Sequence, residues 1–162
     1  MEKYEEIRDK AIKNIKIADH MLTQTYPLVK DPRLLLTVLE NVFLSMTNAI
    51  GALLYFERLY KRVPSFNDTF ESKYNTFKMK LVGRYNIDKE NVKFIADVKS
   101  ILVSHKKSPV EFSRRGVFVM CSEDYRMRAL TPEEMKKYVA RAKAFVGDIN
   151  SIIKQNEMDM KI

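Results

Sequence analysis

A chain of 162 residues is long enough for one domain with its own hydrophobic core and leaves little room for two. Apolar residues make up 46% and charged residues 31%, a balance that excludes a disordered chain, and only four glycines and five prolines argue against a many-turned sheet protein. The net charge of +8 points to an anionic partner, RNA foremost, although a crowded lysine and glutamate surface on a merely soluble protein gives the same balance.

Along the chain, Tyr4, Ile7, Ala11, Ile15, Ala18 and Leu22 recur at alternating spacings of three and four, which predicts a first helix with one apolar stripe. Tyr26-Pro27 should end it, since the residue before a proline is pushed out of the helical region. Asp31-Pro32 restarts a helix, with Asp31 as cap and Pro32 at the first helical position. Its stripe runs through Leu35, Leu39, Val42, Met46, Ala49, Leu53, Phe56 and Tyr60, and Leu36, Phe43, Ile50 and Leu54 widen it into the central helix of the fold. Pro64 stops it, after Arg58, Lys61 and Arg62, whose charge suits a helix C-terminus.

A third helix is expected from Asn67 or Asp68 through Phe70, Tyr74, Phe77 and Leu81, closed by residues 83–86. Asp88 caps a fourth, which turns Val92, Ile95, Val98 and Leu102 inward and ends between His105 and Lys107. Ser108-Pro109-Val110-Glu111 has the form of a capping box and predicts a short helical turn reaching Gly116. The β-rich runs Val117–Cys121 and Arg126–Leu130 flank the polar residues Ser122 to Tyr125 and predict a hairpin. A second box, Thr131-Pro132-Glu133-Glu134, opens a last helix with Met135, Val139, Ala142, Phe145, Ile149 and Ile152 inside. The expected fold is mainly α: one antiparallel bundle over residues 1–156, with a short helix and a small hairpin inserted before the last long helix, and a frayed tail at 157–162.

The most apolar stretch, residues 34–56, is broken by Glu40, Asn41, Thr47 and Asn48, so no membrane span is expected, and the charged N-terminus lacks the apolar core of a signal peptide. The single cysteine, Cys121, cannot form an internal disulfide and is expected to be buried and inert, which suits a reducing, cytoplasmic setting. No glycine-rich phosphate loop, metal-spaced Cys or His pair, or serine nucleophile motif occurs, so neither a cofactor nor a metal is expected.

His20 follows Asp19 beside the first apolar stripe and reads as a partly exposed structural histidine. His105 has more interesting neighbours. Between Lys99 and Arg128 there are seven Lys or Arg and three Asp or Glu, and the cations near His105 would keep its imidazole neutral. Two readings stand side by side. In one, Lys106, Lys107, Arg114, Arg115, Arg126 and Arg128 join His105 in a nucleic-acid-binding patch, with Arg126 and Arg128 on one strand face and Phe118 and Tyr125 available for stacking. In the other, these cations only suit helix ends, Phe118 is core and Glu111 is a capping partner. Lys78, Lys80 and Arg84 either extend the patch or face solvent. The apolar excess at Phe43, Leu54 and Tyr55 leaves a homodimeric interaction module open as a further possibility.

The helical layout, with Lys99 followed by five residues and then His105 near a helix end, resembles the HEPN superfamily. That motif is an arginine, four to six residues and a histidine, and lysine here replaces the arginine. The resemblance implies a small helical bundle, often dimeric. It also implies metal-independent ribonuclease activity, with His105 as general base and Lys99 or Arg114 stabilising phosphate. The stretch from His105 to Arg115 is also similar to one in small archaeal proteins of like layout, which implies the fold and a possible patch only.

Overall fold

The computed structural model describes residues 1–108, 110–121 and 126–160. Pro109, the hairpin loop from Ser122 to Tyr125 with its stacking candidate Tyr125, and the last two residues of the expected tail lie outside the described residues. The protein is mainly α, with a small antiparallel sheet inserted before the last long helix.

Helix α1 (Lys3–His20) begins with a reciprocal capping box, in which Glu5 accepts the Glu2 backbone N–H at 3.0 Å. Every member of its predicted stripe, from Tyr4 to Leu22, is buried. The helix does not stop before Pro27. A π turn over Met21–Thr25 follows, and the short helix α2 (Tyr26–Val29) carries Pro27 in its first turn. The wider turn moves the backbone bond of Tyr26 to the Met21 carbonyl, which opens room for a ring that has no N–H to offer. The chain turns at Lys30, in the left-handed region at φ 53°.

Helix α3 (Arg33–Leu59) is the centre of the bundle, with fourteen buried residues. It meets the length and hydropathy of a membrane span, more apolar than the broken 34–56 stretch suggested, and its burial among the other helices accounts for that composition. The apolar excess is used within the chain: Leu54 is fully buried, Phe43 packs on Phe70 at 5.3 Å and Tyr55 on Phe66 at 5.2 Å. Helix α1 lies along α3 more extensively than any other pair. They come close at Gly51, where a Cβ would sit 3.4 Å from Ile7 Cγ2. A polar seam runs between them, with Asn48 donating to Asn14 at 2.9 Å and Asn14 to Asn41 at 3.4 Å.

Helix α4 (Phe70–Thr76) starts at Thr69, whose hydroxyl accepts the Ser72 N–H. It passes into a second π turn at Phe77–Leu81, with Phe77 and Leu81 in the core. Helix α5 (Lys89–Lys107) is capped by Asp88, as its sequence predicts, and buries Val92, Ile95, Val98 and Ile101, with Leu102 only half-buried. Helix α6 (Pro132–Met160) is capped by Thr131 Oγ1, which accepts the Glu134 N–H at 3.1 Å. It continues to Met160, and near that end Glu157 accepts the Tyr4 hydroxyl at 2.7 Å and pairs with Arg8 at 3.4 Å, fastening α6 to α1. Burial and the Glu157 carboxylate both push the Tyr4 hydroxyl up, so it stays a neutral donor.

The predicted hairpin is present as β2 (Val117–Cys121) and β3 (Met127–Leu130). The predicted short helix is instead a strand, β1 (Val110–Arg114), paired antiparallel with β2 in the order β1-β2-β3. The capping-box reading of Ser108 fails because the Ser108 hydroxyl donates to the carbonyls of Val110 and Cys121, at 2.8 and 2.7 Å, and so holds an extended chain in register. Arg114 faces Val117, so the connection is the two residues Arg115-Gly116, both at positive φ (51° and 76°), the backbone of a type I′ turn.

Candidate anion-binding surface around His105

Residues paired across a sheet lie on one face of it. Phe118, Met120 and Leu130 are in the core, so their partners Glu111, Ser113 and Arg128 belong to the inner face. Arg114, opposite Val117, belongs to the outer face with Val110 and Phe112. This geometry divides the predicted basic patch. Arg128 lies on the other sheet face from Arg114, where it stays exposed and donates to Glu134 and to the Tyr138 hydroxyl, both at 3.1 Å. Arg126 lies just before β3, not within it, so it shares no strand face with Arg128. Phe118 is buried and offers no stacking face.

Arg114 and Arg115 are exposed at the hairpin tip, and Lys106 and Lys107 are exposed in the last turn of α5. None of the four makes an ion pair among the described residues. His105 itself is tied to β1: its Nδ1 lies 2.5 Å from the Glu111 carboxylate. The charged group in contact with the ring is therefore an acid, where the sequence pointed only to cations. An ionised carboxylate can only accept, so Nδ1 carries the hydrogen, and Nε2 has no hydrogen-bond partner among the described residues.

His105 stands on the ridge between two grooves. One, of about 320 Å³, runs over α3 and α5 and is lined by Glu40, Phe43, Leu44, Lys99, His105 and Lys106. The other, wider at about 820 Å³, separates the start of α3 from β1 and includes Lys30, Arg33, His105 and Glu111. Lys99 and His105, spaced as the sequence noted, thus border the same groove. The Lys99 ammonium lies 5.5 and 5.1 Å from the ring centres of Phe43 and Phe70, an attraction that fixes its position. Arg33 is less available, since Asp31 binds it bidentately and is in turn held below the usual carboxylate range.

Sequence reasoning missed a second cluster, at the opposite end of α3. Glu57 is fully buried. It accepts the Tyr85 hydroxyl and the Arg62 Nε at 2.5 Å, and Arg84 Nη1 reaches it at 3.5 Å. Burial first, then the Glu57 bond, pushes the Tyr85 hydroxyl up to about 12. The available signal was an acid inside an otherwise apolar helix face, five residues before an arginine. His20 is exposed, as expected of a structural residue beside the stripe, and Cys121 is half-buried at the end of β2, not fully buried. Among the described residues no group of three or more His, Cys, Asp or Glu could hold a metal ion. No family model, curated protein or solved structure matches the chain.

Proposed function

We propose that the surface around His105 binds a polyanionic strand, RNA in preference, through Lys106, Lys107, Arg114 and Arg115. The supporting observation is that these four cations are exposed and without ion pairs among the described residues, two of them directly following a histidine that borders two open grooves and two at the nearby hairpin's tip. Arg128 is left out of the proposed interface because it lies on the other sheet face and is already bonded to Glu134 and Tyr138. Four phosphate contacts on a single strand imply a roughly 50-fold loss of affinity between 50 and 200 mM salt, from a slope of about −0.7 per contact. Fluorescence anisotropy with a labelled single-stranded RNA tests this. Arg114→Glu with Arg115→Glu should weaken binding and flatten the salt slope, while Arg128→Ala leaves both unchanged. Unaltered affinity in the double charge reversal overturns the reading.

A second reading is metal-independent RNA cleavage, favoured by the Glu111-held imidazole bordering the same groove as Lys99. His105 Nε2 would take the proton of a 2′-hydroxyl as its oxygen attacks the adjacent phosphorus. The 5′-oxygen leaves with a proton from solvent, and a 2′,3′-cyclic phosphate remains. Lys99 and Lys106 would stabilise the pentavalent phosphate. Cleavage that survives EDTA and disappears in His105→Ala supports this reading; equal cleavage in the variant removes it.

A further inference from the structure

We infer that the guanidinium groups of Arg62 and Arg84 form a receptor for a phosphate group, a site distinct from the His105 surface. Glu57 and the two arginines leave one positive charge over, and the carboxylate neutralises the pair only from the buried side. Both guanidiniums approach the same carboxylate oxygen, Glu57 Oε2, so they are held side by side, an arrangement of like charges that favours a second anion on the open side.

The two forks are also fixed in place. Arg62 Nη2 reaches the Tyr85 hydroxyl at 3.4 Å and Asn156 Oδ1 at 3.5 Å, and its guanidinium lies over the rings of Phe56 and Tyr60. Arg84 Nη2 donates to the Arg62 carbonyl at 3.1 Å, which ties the second arginine to the backbone of the first. Arg62 directly follows the left-handed Lys61 at φ 57°, and Arg84 lies within the turn that the left-handed Asn86 closes at φ 51°. At the first turn the Arg62 N–H returns to the Glu57 carbonyl at 2.9 Å, binding the arginine to the backbone of the acid it pairs with.

Donors remain for a ligand. Arg62 Nη1 and Arg84 Nε make no hydrogen bond among the described residues, and the side chains are 29% and 38% exposed. Exposed Lys61 stands beside them in sequence. Two planar forks, oriented before the ligand arrives, match the several acceptor oxygens of a phosphate better than point charges would.

The test is calorimetric titration of the whole chain with inorganic pyrophosphate at constant ionic strength. The native protein should bind saturably. Arg84→Ala should weaken binding at least tenfold and Arg84→Lys by less, since it keeps the charge and loses the fork. Circular dichroism confirms that both variants are folded, which is expected because Arg62 and Tyr85 still serve Glu57. Lys106→Glu with Lys107→Glu should bind pyrophosphate as the native chain does, which separates this site from the His105 surface. Competition with a short oligonucleotide, with and without a 5′-phosphate, tells a strand terminus from a free phosphate compound. Undiminished binding in Arg84→Ala, or no saturable binding by the native protein, overturns the inference.

Discussion

Glu57→Gln tests the central polar contact of the fold with almost no change in volume. The carboxylate is fully buried, accepts hydrogen bonds from Tyr85 and Arg62, and forms an ion pair with Arg84 at 3.5 Å. The amide keeps one accepting oxygen and places an NH₂ group where a donor already points. Losing a hydrogen bond to a charged group costs about 1.5–3 kcal/mol, and breaking a buried ion pair about 3–5 kcal/mol. Arg62 and Arg84 are 29% and 38% exposed, so water recovers part of their solvation and the low end of that range applies, about 3 kcal/mol. For a domain of this size that is a fall in Tm of about 6–12 °C. Urea unfolding followed by far-UV circular dichroism measures it, with the native slope checking that the unfolded state is unchanged. A loss below about 1 kcal/mol would refute the reasoning, because it would mean that water or a rearranged side chain serves the arginines equally well.

Two further outcomes follow from named groups. Tyr85 has its hydroxyl raised to about 12, so it contributes stability that is complete below pH 10 and is lost as pH rises from about 10 to 12; Tyr85→Phe should flatten the alkaline fall in stability over that window, and identical profiles would contradict the assignment. Gly116 sits at φ 76° in the hairpin turn, where an added Cβ meets the Tyr26 hydroxyl only at an ordinary 3.7 Å, so Gly116→Ala should cost about 1 kcal/mol through backbone strain alone and speed amide exchange in β1 and β2. Unchanged exchange in those strands would show that the turn does not need its glycine.

The long helices were legible because each presents one continuous apolar stripe, and burial follows those stripes almost residue for residue in α1, α3 and α6. Three features were not. Strand β1 was hidden because Ser108 to Glu111 matches a helix start, yet Val110 to Arg114 and the Arg115-Gly116 pair also carry a strand and its turn; pairing with β2, a contact outside the segment, decides between them. The helix past Tyr26 was hidden because a proline normally ends one, and a π turn is a local adjustment that no periodicity announces. The end of α6 depends on Tyr4 and Arg8, almost the whole chain away. Of the candidate site, the proximity of Lys99 and His105 to one groove follows from helix spacing, whereas the Glu111 contact and the separation of Arg128 from Arg114 onto the other sheet face needed the register of the sheet.

The three asparagines between α1 and α3 act as a registration mark. Sliding one helix by a turn would bring the Asn14 amide level with one of Asn41 and Asn48 and out of reach of the other, so one of its two bonds would be lost and the present longitudinal alignment of the two helices is favoured. Because α3 also carries Arg33 near one end and Glu57 near the other, that alignment turns the bundle into a gauge of fixed length, about 36 Å between those residues at 1.5 Å per residue. Any molecule long enough to touch both ends would be measured against it.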